Sequence, residues 1–329
     1  MNVLSLGRMA GAARRFLTEN PTAPDISVRV VVPARNEADA IGPCVRALVG
    51  QATEVVVVDD HSSDATAARA AAAGAAVVCL ADDPPPGWLG KPRAAAAGAE
   101  GATTEWLAFV DADVVLHRRA LASMAAATEA TSVSIVGGLR CRSASERLLL
   151  PELGLVLAAQ GLAPDFASGQ CFLVRRLAYE AVGGHSHPNV RESGIDDRDL
   201  ARELGKHDAR LAPSLLSTCM YEGFRDLRAG LVKNQAALHP NAAVHLLWLL
   251  GPVATRRPWM AMVVSAGGRW ASGQNPLYGL AAPLARAGLA AIYIESRWRA
   301  SRGDTVAWKG RPVTVTGHRQ RKGTVESSR

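Results

Sequence analysis

The sequence predicts an α/β fold with a mostly parallel central sheet flanked by helices, followed by an apolar helical segment. First, short and continuous apolar runs alternate with helical patterns from residue 28 to residue 110, and strands that are apolar at every position are typical of parallel sheets covered on both faces. Second, acidic residues follow directly after two of these runs. Third, the chain changes character at about residue 238, where three long apolar runs begin.

Each predicted strand is a short apolar run, and each predicted helix is rich in alanine or has helical spacing. We predict strands at residues 28–32, 54–58, 76–80 and 106–110, and helices at residues 38–49, 65–73 and 91–100. Gly74 ends the second helix. The Asp-Asp-Pro-Pro-Pro-Gly sequence at 82–87 is predicted to be a loop, because proline interrupts both helices and central strands.

The composition is that of a folded chain with a basic surface. The chain has 329 residues, 48% of them hydrophobic, and a net charge of +7, which excludes a disordered protein, a collagen-like fibre and a small disulfide scaffold. A basic balance suits nucleotide phosphates or acidic lipid headgroups, whereas no combined aromatic and basic motif predicts nucleic acid binding. The five cysteines are scattered singly, so we expect buried thiols in a reducing compartment rather than disulfides or a zinc site.

Two acidic pairs lie at the ends of predicted strands. Asp59 and Asp60 follow four consecutive valines, and Asp111 and Asp113 follow the strand at 106–110. Because the carboxyl ends of parallel strands meet at one crevice, we expect the two pairs to share it. The oxygen ligands of an Asp-x-Asp pattern suit Mg²⁺ or Mn²⁺.

A third acidic pair, Asp196 and Asp197, begins an amphipathic helix. Acidic residues at this end of a helix interact favourably with its dipole, which alone can explain them. The alternative is a carboxylate general base held at a rigid position. Nearby, residues 168–170 enter a predicted strand. His185 follows the end of a short helix, so a structural role is favoured for it.

The apolar runs at 242–254, 259–265 and 277–294 are each shorter or more interrupted than the ~20 apolar residues of a spanning helix. They are compatible with interfacial or re-entrant helices, a spanning hairpin or a buried helical subdomain. The Trp and Arg residues that flank them favour membrane association. Residues 1–24 are a candidate amphipathic helix.

Four motifs, in this order, resemble the family 2 glycosyltransferases, which have the GT-A fold. They are residues 32–37, 57–64, 111–113 and 196–200, and the resemblance covers about residues 26–235. The Gly-Trp-Leu-Gly-Lys element at 87–91 and the Trp-Lys-Gly-Arg element at 308–311 look like those of the branch that includes hopanoid-associated and carotenoid (diaponeurosporenoate-type) glycosyltransferases. In that branch the C-terminal apolar segments are membrane helices.

Carried onto this sequence, the resemblance implies a role for each acidic pair. It implies a nucleotide pocket formed by Pro33, Arg35, Glu37, Asp59, Asp60, Lys91 and Asp111. Asp113, with Asp111, matches the ligands of a Mg²⁺ or Mn²⁺ ion. Asp197 matches the base that deprotonates the acceptor, with Asp196 as its neighbour.

The implied reaction is the inverting, metal-dependent transfer of one sugar from a nucleotide-diphosphate donor, a UDP-sugar, to a hydroxyl or carboxyl group of a lipophilic acceptor such as an isoprenoid. The Gln-x-x-Arg-Trp element of the processive synthases is missing, which disfavours polymer synthesis. The implied domains are an N-terminal extension (1–25), a GT-A domain (26–237), an apolar membrane-associated segment (238–300) and a basic tail (301–329), at the cytoplasmic face of the plasma membrane or, as second choice, in the cytosol.

Two other functions stay open. A sugar nucleotidyltransferase has a similar fold but usually begins with a Gly-rich loop, which residues 33–37 lack. The same lack of glycine disfavours a Rossmann-type dinucleotide enzyme. An inactive, membrane-associated binding protein is disfavoured because all three acidic pairs are present.

Overall fold

The computed structural model describes residues 16–159, 166–239, 241–271 and 274–315. Most of the predicted N-terminal amphipathic helix, and the end of the predicted basic tail, lie outside these residues. Phe16 and Leu17, the described end of the N-terminal stretch, lie along Leu211, to whose carbonyl oxygen Leu17 N donates a hydrogen bond of 2.8 Å.

Within the described residues, seven strands form the central sheet in the order β3-β2-β1-β4-β8-β6-β9. All neighbours pair in parallel except β8, which is antiparallel to both β4 and β6. The strands of this sheet are β1 Val28–Ala34, β2 Glu54–Asp59, β3 Ala76–Cys79, β4 Trp106–Val110, β6 Ser132–Val136, β8 Cys171–Arg175 and β9 His207–Leu211. The prediction of a mostly parallel sheet flanked by helices is confirmed.

A small second sheet, of β5 Val114–Leu116, β7 Gly138–Leu139 and β10 Leu216–Thr218, lies beyond the carboxyl end of β4. The helices in this part of the chain are α1 Ala38–Val49, α2 Thr66–Ala72, α3 Gly90–Ala99, α4 Ala120–Ala126, α5 Ala144–Ala159, α6 Arg176–Ala181, α7 Pro188–Arg191 and α8 Asp196–Leu204. Of these, α5 packs on the helical layer at the C-terminal end of the chain, through Leu149 and Leu150.

Apolar residues bury both faces of the sheet, as the unbroken apolar strands require. All five residues of β4 are buried. On one face β1 packs on Ile41 and Leu48 of α1, and on the other Val31 and Val58 lie under α3. This packing holds the carboxyl ends of β1, β2 and β4 side by side, and the acidic residues follow there.

A helical layer follows the sheet and consists of α9 Phe224–Leu238, α10 Ala242–Ala254, α11 Pro258–Ala271, the 3₁₀ helix Pro276–Ala281 and α12 Ala282–Arg302. Its core includes Leu227, Leu231, Leu249 and Leu289. The third apolar run was predicted to be interrupted, at Pro283 and Arg286, but α12 continues through both residues. Pro283 lies in the first turn of α12, where proline is tolerated, and Arg286 is buried against Glu152 of α5 at 3.1 Å.

Among the residues that the structure describes, one segment, Pro276–Arg302, is long and apolar enough to cross a membrane, and 44% of its most apolar stretch is buried inside the protein. Buried core helices meet the same criterion, so length and composition alone are weak evidence for a span. The layer nevertheless has an exposed apolar face that includes Leu247, Trp259, Val263 and Trp270, with the last 77% exposed.

The last described elements are two short antiparallel strands, β11 Thr305–Trp308 and β12 Arg311–Thr314. This C-terminal hairpin turns at Lys309 and Gly310, which both have positive φ. Residues predicted as part of a basic tail thus form an ordered hairpin that contacts the edge of the central sheet, through Lys309 and Arg311.

The five cysteines are free thiols. Cys44 and Cys171 are buried, as expected. The expectation of burial is wrong for Cys79, which is exposed because it ends the edge strand β3.

Candidate active site

The first part of the site lies where β2 ends. The Asp59 carboxylate accepts hydrogen bonds from the hydroxyl and the backbone N–H of Ser62, so it holds the turn that follows the strand. The buried Asp60 instead faces the C-terminal hairpin: Arg311 Nη1 donates to its Oδ2 at 2.7 Å, while His61 Nδ1 lies 3.0 Å from its Oδ1. Arg311 also binds Asp83 of the proline-rich loop at 2.8 Å.

The loop after β1 meets the same hairpin. Arg35 Nε donates to the Lys309 carbonyl oxygen at 3.1 Å, and Arg35 Nη1 donates to the Asp60 carbonyl oxygen. The Glu37 carboxylate pairs with Lys309 Nζ at 3.0 Å. Burial raises the pKa of Glu37, and the ammonium group of Lys309 opposes that rise. Pro33 is the β1 residue paired with Val58, one position before Asp59.

Asp111 and Asp113 form the second part, beyond β4. Asp113 accepts a hydrogen bond of 3.0 Å from the hydroxyl of Thr218 in β10. Burial, and next the negative charges of Asp111 and Glu37, raise the pKa of Asp113 to about 7. Burial likewise raises the pKa of Asp111. These carboxylates lie close enough to repel one another, and a cation would relieve the repulsion.

The carboxylates of Asp111 and Asp113 fit a divalent cation. They are hard oxygen donors, which Mg²⁺ and Mn²⁺ prefer. Among the residues that the structure describes, no group of three or more His, Cys, Asp or Glu side chains is placed to hold a metal. A cation bound to these two aspartates would therefore take its other ligands from water or from the phosphates of a substrate, the arrangement usual for Mg²⁺.

Lys91 connects the second part of the site to the third, which consists of Asp196 and Asp197. Its Nζ lies 3.0 Å from Asp111 Oδ1 and 3.2 Å from Asp197 Oδ2, and 4.0 Å from Asp196 Oδ1. Burial would lower the pKa of Lys91, but the three carboxylates raise it well above its usual value. The Lys91 and Asp111 side chains keep more than a third of their exposure, so this cluster remains open to a substrate.

Asp196 and Asp197 lie in the first turn of α8, both with little exposure. Asp196 Oδ2 is buried without a hydrogen-bond partner in the described residues, and His185 Nε2 is 3.6 Å away. Burial and the neighbouring Asp197 charge raise the pKa of Asp196 to about 7. Burial lowers the pKa of His185 to about 3, so the imidazole is neutral and structural; its Nδ1 lies 3.0 Å from the Tyr179 hydroxyl.

Gly169, just before β8, lies directly against the side chains of Lys91 and Asp197. A Cβ there would lie 2.7 Å from Lys91 Nζ and still closer to Asp197 Oδ2. We therefore expect Gly169→Ala to displace both side chains and to lower turnover by more than tenfold. The stability should change little, because the residue lies in an irregular segment at the open cleft. Steady-state rates and melting temperatures test this, with Gly50→Ala as the control, because a Cβ at Gly50 would meet no atom within 4 Å and its φ is −83°.

The pH dependence of stability follows from the two raised pKa values. Between about pH 4, where an unfolded aspartate titrates, and pH 7, folded Asp113 and Asp196 hold protons that the unfolded chain has released. The unfolding free energy should therefore fall as pH rises through this window. Melting temperatures measured from pH 4.5 to 8 should fall less steeply for Asp113→Asn than for the wild type.

Exposed Asp82→Asn is the matched control and should keep the wild-type slope. If Asp113→Asn shows the same slope as the wild type, Asp113 does not carry the effect.

The structure thus places the three acidic pairs along one edge of the sheet and links them through Lys91 and the hairpin. Sequence reasoning missed three residues there: Lys233, Lys309 and Arg311. The Trp-Lys-Gly-Arg element pointed to the last two without showing where they would lie.

Comparison with solved structures shows the same fold. A mannosyltransferase, PcManGT, from Pyrobaculum calidifontis, in complex with GDP-Man and Mn²⁺, is 20% identical, with 89% of this chain and 94% of that chain covered and a TM-score of 0.54. Glucosyl-3-phosphoglycerate synthase from Mycobacterium tuberculosis in complex with phosphoglyceric acid is 18% identical, covering 68% and 86%, with a TM-score of 0.46.

The same synthase in complex with Mn²⁺, UDP and glucosyl-3-phosphoglycerate is 20% identical, covering 68% and 87%, with a TM-score of 0.46. No curated protein sequence matches the chain at a significant level. Residues 29–182, slightly less than half of the chain, match the family model of glycosyl transferase family 2. This stretch includes β2 to β4 and the acids Asp60, Asp111 and Asp113.

Proposed function

We propose that this protein is an inverting glycosyltransferase that moves one sugar from a nucleotide-diphosphate donor, a UDP-sugar, to a hydroxyl or carboxyl group of a lipophilic acceptor. The observation that supports this most is Lys91, which lies within hydrogen-bonding distance of both Asp111 and Asp197. Two acidic residues from distant parts of the sequence, one suited to a cation and one to a base, therefore border the same open space.

The donor nucleotide lies, in this proposal, along the carboxyl ends of β1 and β2. Pro33, Arg35 and Glu37 form one wall, and Asp59 holds the adjacent turn. Asp60 accepts a hydrogen bond from an N–H group of the donor's nucleobase. The hairpin residue Arg311 fixes the Asp60 carboxylate, because it donates to Oδ2 at 2.7 Å.

The diphosphate continues from there toward Asp111, Asp113 and Lys91. A Mg²⁺ or Mn²⁺ ion held by Asp113 and Asp111 supplies positive charge to the leaving diphosphate when it is bound. The residues of this chain position the donor beside Asp197. Asp197 takes the proton of the acceptor group as it attacks the anomeric carbon from the face opposite the diphosphate. Asp196 precedes Asp197 in the first turn of α8.

The acceptor side of the proposal rests on the helical layer. Its exposed apolar face, defined by Leu247, Trp259, Val263, Trp270 and Leu284, is of the kind that lies in a membrane interface. The neighbouring Arg256 and Arg257 are exposed and suit anionic headgroups. We propose that this face lies on the cytoplasmic side of the plasma membrane and gives access to a lipid or isoprenoid acceptor.

A nucleotide-sugar screen tests the proposed reaction. UDP- and GDP-sugars are incubated with Mn²⁺ or Mg²⁺, with and without extracted lipids, and release of nucleoside diphosphate is measured. The proposal expects release that depends on the metal and rises with lipid. Formation of nucleotide-sugar from a sugar 1-phosphate and a nucleoside triphosphate would instead identify a nucleotidyltransferase, and no turnover in either direction would support an inactive binding protein.

Vesicle flotation tests the membrane part separately. The wild type should float with vesicles that contain anionic lipid, and Trp259→Ser with Trp270→Ser should weaken this binding. Equal recovery of the protein with and without vesicles would reject membrane association and leave the proposed reaction untouched.

A further inference from the structure

A third lysine lies beside this site without a carboxylate partner. Lys233, on α9, has its Nζ 4.5 Å from the centre of the Trp308 ring in the hairpin. Lys309 Nζ lies 5.8 Å from the same ring. Lys91 and Lys309 are each within 3.2 Å of a carboxylate, whereas Lys233 has none within 4 Å in the described part of the chain.

The position of Lys233 is set by the packing of the hairpin on α9. Gly230, about one helical turn before Lys233, has no side chain, and a Cβ there would lie 2.9 Å from the Trp308 ring. The ring can therefore pack closely against the helix. Tyr221 packs edge-on against the ring, with 6.2 Å between the ring centres, and it also lies against Gly230. Trp308 is thus held by α9 and Tyr221, and its ring lies under the ammonium group of Lys233.

The charges around Lys233 locate it between the two ends of the proposed donor. It interacts electrostatically with Lys91, Asp111 and Asp196, and also with Lys309. Lys309 lies at the nucleoside end of the site, where it pairs with Glu37. Asp196 lies at the acceptor end. Partial burial, and next the charge of Lys91, lower the pKa of Lys233 to about 8. An ammonium group in such a place gains from a bound anion.

We propose that Lys233 binds the sugar-proximal phosphate of the donor's diphosphate. This inference rests on the proposed function, and it assigns the diphosphate a cation other than Lys91, whose charge is already shared among three carboxylates. Charge-assisted contacts to phosphate are among the stronger hydrogen bonds in proteins. The C-terminal half of the chain thereby contributes directly to donor binding.

Calorimetric titration with UDP and UMP, in the presence of Mn²⁺, tests the proposal. The two probes differ by the phosphate in question. Lys233→Gln should weaken UDP binding about 10- to 100-fold, the loss expected for one charged hydrogen bond, and should change UMP binding less than about twofold. Lys233→Arg should recover most of the UDP affinity. Lys206→Gln, an exposed lysine at the start of β9, should bind both nucleotides as the wild type does.

The free protein provides a check on folding. Lys233→Gln removes a charge that has no carboxylate partner, so it should melt at the wild-type temperature or above it. If Gln is not tolerated, Lys233→Met, which keeps an unbranched stem, replaces it in the same titrations.

Three results would overturn the proposal. The first is UDP binding within threefold of the wild type in Lys233→Gln, and the second is an equal loss for UDP and UMP; both leave the proposed function standing. The third is a wild type that binds neither UDP nor GDP with Mn²⁺, which rejects the proposed function together with this inference.

Discussion

Asp197→Asn should lower sugar transfer by about 10²- to 10⁴-fold, the range expected for loss of a positioned general base. The substituted amide has nearly the same shape but cannot accept the acceptor's proton. The donor should still bind, because the nucleoside is proposed to lie against Asp60, whose partner is Arg311, and not against Asp197. Turnover should therefore fall, while donor affinity measured on the same preparation should stay at the wild-type level.

Asp199→Asn is the matched control. It lies in the same first turn of α8, but its carboxylate binds Ser193 and Arg202 and not Lys91. Its turnover should stay within a few-fold of the wild type. Full turnover in Asp197→Asn would remove Asp197 as the base, and equal loss in both variants would show that disturbance of the helix, and not proton transfer, is responsible.

Glu152→Gln should destabilise the helical layer by about 3–5 kcal/mol, as expected when one partner of a buried ion-pair cluster is removed. Glu152 is fully buried, with Arg286 at 3.1 Å and Arg269 at 3.4 Å. Ser265 also donates to it. Without its negative charge, two arginines with little or no exposure lose the carboxylate that balances them.

Urea unfolding measures this effect, and Glu295→Gln is its matched control. Glu295 also binds two arginines, Arg228 and Arg299, but all three side chains are partly exposed. Its loss should lower the unfolding free energy by no more than about 1 kcal/mol. Similar changes in the two variants would mean that burial does not strengthen the cluster around Glu152.

Most of the sheet could be predicted from sequence, because local patterns encode it. The apolar strands β1 to β4 and the helices between them follow from periodicity, and the acids directly after β2 and β4 mark the carboxyl edge. The direction of β8 could not be predicted in this way. It is as apolar as the parallel strands of the sheet, and only its pairing with β4 and β6 sets its direction.

The candidate site was predicted in part for the same reason. Motifs revealed the acidic residues, each of which lies at a strand end or a helix start. Their partners come from far along the chain: Arg311 is 251 residues from Asp60, and Lys91 is 106 residues from Asp197. Arg286, buried in α12, likewise has its carboxylate partner Glu152 134 residues earlier. No local pattern contains such pairings.

The C-terminal hairpin has a consequence for how the protein is made. The amino end of a chain emerges from the ribosome first, and N-terminal parts generally begin to fold before later ones. Asp60 can pair with Arg311 only after more than two hundred further residues, including the whole helical layer, have been synthesised. A polypeptide that ends before Thr305 therefore keeps its sheet and acidic residues but never acquires the charges that complete the nucleoside end.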